Sequence, residues 1–136
     1  MTALAAERAT PRREGKFRND PAAAAKKFYQ GALVCLDASG NATPGATATT
    51  LIARGVCRYT VDNSAGSAGD LRVESEAGVF LFANSASTDA ITRAEIGDDC
   101  YIVDDQTVAK TDGTGTRSKA GRILDVDSDG VYVEIR

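Results

Sequence analysis

The residues of this chain whose types and spacing suggest chemistry are mostly carboxylates. Asp125-Val126-Asp127-Ser128-Asp129-Gly130 matches the opening of a calcium loop, with acids at alternate positions and glycine sixth. The match then fails. The twelfth position, where a bidentate Glu would close the cage, is Arg136, and Glu134 comes two residues early. Val131, Tyr132, Val133 and Ile135 alternate like a strand, whereas a calcium loop leads into a helix, so the segment reads as an acidic hairpin tip. The pairs Asp98-Asp99 and Asp104-Asp105 suggest acid/base work, but neighbouring residues on a strand point to opposite faces and do not converge on one substrate. The chain has no histidine, which removes an imidazole base, His-ligated metal and Ser-His or Cys-His pairs. Gly113-Thr114-Gly115 with Lys119 lacks the spacing and the following helix of a phosphate loop. No enzyme and no cofactor are expected.

Cys35, Cys57 and Cys100 are three, widely spaced, with no C-x-x-C. An odd count without a secretory leader argues against a disulfide framework and for a reducing compartment, so all three read as small buried hydrophobes. No apolar stretch approaches the ~20 residues of a membrane helix, and no membrane partner is expected.

The other concentration of chemistry is cationic. Residues 1–27 hold seven Lys or Arg against three acids, whereas residues 28–136 hold nine against sixteen, giving +4 and −7. A basic leader on an acidic body reads as an interaction arm on a folded module. Arg8, Arg12, Arg13, Lys16, Phe17 and Arg18 are its candidate partner-binding residues. Pro11, Gly15 and Pro21 interrupt it, and it lacks periodic apolar residues, so at most Thr2 to Ala9 and Ala22 to Lys27 could turn helically. The arm is expected to be extended or disordered until it meets a partner. Direct nucleic-acid binding would place these cations on phosphates, but the acidic body and the single aromatic, Phe17, oppose it. An acidic protein surface fits the charges better, and a solvated tail is the bland alternative.

Stepping along residues 28–136, short apolar runs alternate with turn residues, the pattern of an all-β chain. Strands are expected over Phe28 to Asp37, Leu51 to Val61 with Gly55 at a bulge or close approach, and Leu71 to Glu76 with one wet face. Val79 to Ala83 is apolar throughout and should be central. Asp89 to Ile96 suits one or two helical turns capped by Thr88 or Asp89. Cys100 to Asp104 and Thr107 to Thr111 flank a tight turn, and Lys119 to Val126 pairs with Val131 to Ile135 across Asp127-Ser128-Asp129-Gly130. The expected fold is mainly β: a small barrel or sandwich of seven or eight short strands behind an extended arm.

Glu7 to Gly15 (ERATPRREG), Tyr29 to Val34 (YQGALV), Leu36 to Gly40 (LDASG) and Ala42 to Gly45 (ATPG) resemble small head proteins of tailed phages and prophages. Tyr101 to Gly113, Ala120 to Asp127 and Gly130 to Glu134 are similar to them too. The family is that of capsid decoration, or cement, proteins. The resemblance implies a β-rich body, commonly a homo-trimer, seated outside the capsid where major capsid protein subunits meet, with the arm helping to clamp them. It implies no catalytic residues, and places the protein on the virion after synthesis in the bacterial cytoplasm. A phage tail, fibre or baseplate β-module that binds protein or surface glycan is the alternative.

The missing twelfth ligand generates the first expectation. Calcium wants about six to eight oxygens, so thermal melts in millimolar Ca²⁺ and in chelator should coincide. A shift above ~5 °C, about 1 kcal/mol for a domain of this size, would make the acidic tip a metal site.

Overall fold

The computed structural model describes residues Thr2–Arg136. The chain is mainly β, with 45% of residues in strands and 4% in helix. Two architectures follow one another. The first half gives β1 (Phe17–Pro21), β2 (Lys26–Phe28), β3 (Leu33–Leu36), β4 (Ala42–Pro44), β5 (Ile52–Cys57), β6 (Val61–Asn63) and β7 (Arg72–Glu76). Five of them form a sheet in the order β1-β7-β5-β3-β4, while β2 and β6 pair as a separate ribbon. The second half gives β8 (Gly78–Asn84), β9 (Asp99–Ile102), β10 (Thr107–Ala109), β11 (Lys119–Asp127) and β12 (Gly130–Ile135), which close a barrel in the order β10-β8-β12-β11-β9. Its seam is the parallel pairing of β8 with β10.

The barrel-type β fold is as the sequence leads one to expect, but the strands are shorter and more numerous. The run from Phe28 to Asp37 breaks because Tyr29 to Ala32 make a turn in which Gly31 takes φ +90°. The run from Leu51 to Val61 divides in the same way, into β5 and β6, at Arg58 to Thr60. The 89–96 segment holds one 3-10 turn, Arg93–Glu95, capped by Thr92 in a capping box with Glu95, and another, Ser87–Asp89, ends where the segment begins. Val79 to Ala83 lies on β8, between β10 and β12, in a closed barrel in which no strand is central. The side chains of this run alternate: Phe82 is buried and Phe80 packs on the core, whereas Val79 and Leu81 are 43% and 45% exposed on the barrel's outside.

The largest departure concerns the boundary at residue 27. The folded body starts at Phe17, because β1 pairs residue for residue with β7, from Phe17↔Glu76 to Pro21↔Arg72. Ala22, Ala23 and Phe28 are buried beyond it, and Lys26 and Lys27 lie on β2 opposite Asn63 and Asp62. A pairing partner over fifty residues away in sequence supplies the hydrogen bonds and the apolar face that this segment lacks on its own. Residues 2–16 precede the first strand, and all of them are exposed.

Two cores result. The larger fills the barrel with Phe82, Ile91, Cys100, Ile102, Val108, Ile123, Val131, Val133 and Ile135, joined by Leu33 and Cys35. The smaller gathers Ala22, Phe28, Val34, Ala42, Cys57 and Val73 on the other side of the sheet. The expected alternation holds from Arg72 to Glu76, where Val73 and Ser75 point inward and Arg72, Glu74 and Glu76 outward, whereas Leu71 precedes the strand and is exposed. All three cysteines are free and buried.

Gly55 is the bulge anticipated from the sequence. Val34 faces Gly55 and Cys35 faces Ala53, so β5 carries one extra residue, Arg54, against β3. A Cβ on Gly55 would stand 2.2 Å from the Glu76 carbonyl oxygen, and its φ is +153°. Gly40, with φ +82°, has nothing within 4 Å of such a Cβ. Gly55→Ala should therefore cost about 2 kcal/mol or more, and Gly40→Ala only about 1 kcal/mol, in urea unfolding. Equal costs would show that the close approach of β5 to β7 carries no weight.

Candidate functional site

The six arm residues singled out by type divide into two groups. Arg8, Arg12 and Arg13 lie in the exposed stretch 2–16, and none forms an ion pair among the described residues. Within that stretch the backbone closes only one local hydrogen bond, in which Thr10 N–H donates to the Arg8 carbonyl at 3.0 Å. Lys16, Phe17 and Arg18 instead belong to the folded body. Lys16 Nζ lies 3.2 Å from Glu76 Oε1, while its own N–H donates to Glu14 Oε1 at 3.0 Å.

Antiparallel pairing with β7 fixes where β1 presents its side chains. Phe17, 45% exposed, holds its ring under two cations, Lys16 at 5.4 Å and Arg58 at 4.4 Å from the centroid. Arg58 also stands 5.3 Å from the ring of Tyr59, which is 57% exposed, and 3.5 Å from Glu74 Oε2. One guanidinium thus links two exposed rings, an arrangement worth about 0.5–1 kcal/mol per contact at such sites.

On the next positions of β1, Arg18 donates from Nη1 to the Arg54 carbonyl. Asp20 receives both Nε and Nη2 of Arg54, each at 2.9 Å. The bulge turns Arg54 out of the β5 ladder and lets it reach across β7 to β1. Burial and then the neighbouring Arg54 pull the Arg18 guanidinium below its ordinary pKa, and Asp20 opposes them. Arg54 therefore holds the Asp20 carboxylate through both oxygens, and Arg18 feels that carboxylate only through space. Together these groups and Arg13, Asn19 and Glu14 line a cleft of about 350 Å³ where the arm leaves the body.

Arg54, Arg58 and Tyr59 are absent from the set read off the sequence. They lie about forty residues downstream of the arm, in a stretch that reads only as a strand, and pairing alone brings them to Phe17 and Arg18. The adjacent cation and aromatic at Arg58-Tyr59 were the one local signal.

The other candidates are occupied with holding the fold. Asp125 accepts from Arg93 Nη1 and from the Val126 N–H, both at 2.9 Å, and Asp127 accepts from the Asp129 N–H at 2.8 Å within the hairpin. These bonds hold the Asp125 carboxyl below its ordinary pKa, the Val126 N–H first and the Arg93 contact next. No group of three or more His, Cys, Asp or Glu is arranged to hold a metal among the described residues. Burial pushes the Cys35 and Cys100 thiols up to about 12 and Cys57 upward as well, so none is a ready thiolate. A second cleft, of about 540 Å³, runs between β5 and the barrel over Leu51, Ala53, Ala120 and Ile135. Among the described residues no helix is long and apolar enough to cross a membrane.

No protein-family model matches the chain, and no curated protein or solved structure matches it either.

The contribution of the Asp20 carboxylate can be weighed directly. Asp20→Ala leaves Arg18 and Arg54 partly buried with no anion between them, and should cost about 1–3 kcal/mol of stability. Arg54→Ala in that background should recover part of the loss in a double-mutant cycle. Additive effects of the two changes would show that the pair is uncoupled.

Proposed function

We propose that this chain is a structural virion protein that binds the outer surface of a phage capsid and stabilises the shell by bridging major capsid protein subunits. The observation that carries the reading is the contrast at Lys16. Residues 2–12 are exposed and precede the folded β body, and Arg8, Arg12 and Arg13 have no ion-pair partners among the described residues, whereas the cations from Lys16 to Arg18 are tied into the body. A free cationic segment on a compact body without an evident reactive centre suits adhesion rather than turnover. The resemblance of the arm and of the β segments to capsid decoration proteins points the same way. Exposed Val79, Leu81 and Leu124 on the barrel give a homo-trimer apolar surface to cover. Function needs no cofactor and no direct contact with nucleic acid.

Seating the arm on a shell orders its backbone at roughly 1–2 kcal/mol per residue. Exposed ion pairs return about 0–1 kcal/mol each, so main-chain and apolar contacts, including Leu4, must supply the rest. Because β1 belongs to the body, the informative truncation ends at Arg13. Removing residues 1–13 should leave the melt and the oligomeric mass unchanged and lower occupancy on decoration-free heads by at least about tenfold. Reversal of Arg8 and Arg12 to Glu should lower it less. Occupancy is read by sedimentation of mixed heads and protein. Equal occupancy for intact and truncated chains would assign binding to the body alone. A solution mass of 14.2 kDa for the intact protein, with no larger species on heads, would remove the trimer.

A further inference from the structure

We infer that the cleft at the root of the arm is a second binding site, one that takes a carboxylate side chain from an extended, acidic segment of a partner protein. Four guanidiniums line it, those of Arg13, Arg18, Arg54 and Arg58, against three carboxylates, those of Glu14, Asp20 and Glu74. Two of the acids are paired with guanidiniums inside the cleft, and the third holds a backbone N–H. Asp20 is held by Arg54 through both oxygens, Glu74 stands by Arg58 at 3.5 Å, and Glu14 accepts the Lys16 N–H. Arg13 keeps no ion pair among the described residues, and the one hydrogen bond that Arg18 donates goes to a neutral carbonyl. The set is short of one anion.

An added carboxylate would relieve the facing charges of Arg18 and Arg54 and would receive charge-assisted hydrogen bonds in a partly desolvated place. The planar forks of arginine suit two-point recognition of a carboxylate. The volume, about 350 Å³, admits a few residues rather than a whole element. Phe17 walls the site with an exposed ring under Arg58, which gives the residues beside that acid an apolar and cationic wall. Aromatic and arginine side chains of this kind dominate binding energy at protein interfaces.

The geometry favours a protein segment over a nucleic acid. Continuous tracking of a phosphate backbone needs a run of unopposed cations, whereas here carboxylates alternate with the arginines and would repel successive phosphates. It also favours side-chain contact over addition of a strand to β1. Pro21 lacks an N–H on that edge, and Arg72 wraps around it, donating to the Asn19 carbonyl at 3.0 Å and to the Asn19 side chain.

The inference concerns the free chain and does not require the partner to be a capsid, so failure to decorate heads leaves it standing. A short fluorescent peptide of alternating Glu and Val is titrated against the full-length protein, with its Gln-Val counterpart and an oligothymidylate of equal length as comparisons. The Glu peptide should bind at least about tenfold more tightly than the Gln peptide, and high salt should weaken it. Arg13→Gln, whose side chain supports nothing in the fold, combined with Arg58→Gln should reduce that affinity at least about tenfold while the thermal melt stays cooperative. Equal affinity for the Glu and Gln peptides, or an unchanged affinity in the double variant, would refute the site. Tighter binding of the oligothymidylate would do the same, since it would make the cleft a phosphate reader.

Discussion

The alternation of side chains along β3 is the constraint on which both halves of the molecule depend. Leu33 and Cys35 point into the barrel, and Val34 points into the smaller core beside Phe28, Cys57 and Val73. Four residues thus bury both faces, which is why the run reads as continuously apolar. The backbone of Leu33 adds to the link by donating to the Asp105 carbonyl at 2.8 Å and accepting from the Gly45 N–H at 2.9 Å. Ser118 closes the seam from the barrel side, donating to the Ala48 carbonyl at 2.7 Å and accepting from the Leu51 N–H at 3.0 Å. A slip of one residue in β3 would exchange the two sets of side chains and leave neither core filled. Sheet and barrel are for that reason one unit rather than two modules on a linker.

The same constraint positions the root of the arm. β5 lies between β3 and β7, and its bulge absorbs the mismatch between a strand fitted to two cores and its outer neighbours. The extra residue, Arg54, leaves the ladder and ties down Asp20 on β1. Gly55 lets β5 approach Glu76, on the strand that carries β1 along its length. A demand made in the interior therefore emerges at the surface as a fixed array of guanidiniums and one exposed ring. This array is rigid because each member is held by the sheet, whereas Arg8, Arg12 and Arg13 keep the rotamer freedom that binding must later remove.

What the sequence made legible was local. The hairpin across Asp127 to Gly130, the alternation of Leu71 to Glu76, the buried cysteines and the bulge at Gly55 all rest on a few adjacent residues. β1 was not legible, because Phe17 to Pro21 has no apolar period of its own and becomes a strand only beside Arg72 to Glu76. Nor was barrel closure, which uses a two-residue parallel pairing of Thr107 and Val108 with Ala83 and Asn84. The outward face of Val79 and Leu81 was hidden by composition: an apolar run does not say which side of a barrel each residue takes. Half of the candidate site was visible as charge, in the arm. The other half, Arg54 and Arg58 with Tyr59, depended on strand order.

Charge is distributed along the same division. Residues 1–76 carry ten Lys or Arg against eight acids, and residues 77–136 carry six against eleven, so the sheet half is mildly basic and the barrel half acidic. Exposed charges interact over a screening length of about 8–10 Å at physiological salt, which is shorter than the molecule. The two poles therefore do not cancel at a surface. An acidic partner meets the arm and the sheet first and repels the barrel, which orients the molecule before any close contact forms. Orientation alone gives little affinity. Holding requires desolvated contacts, and at the root of the arm the β3 and β5 register has gathered cationic groups that are already partly desolvated. Steering thus belongs to the unpaired arginines of residues 2–16 and retention to the array behind them, which is a division of labour that a uniformly mobile arm could not provide.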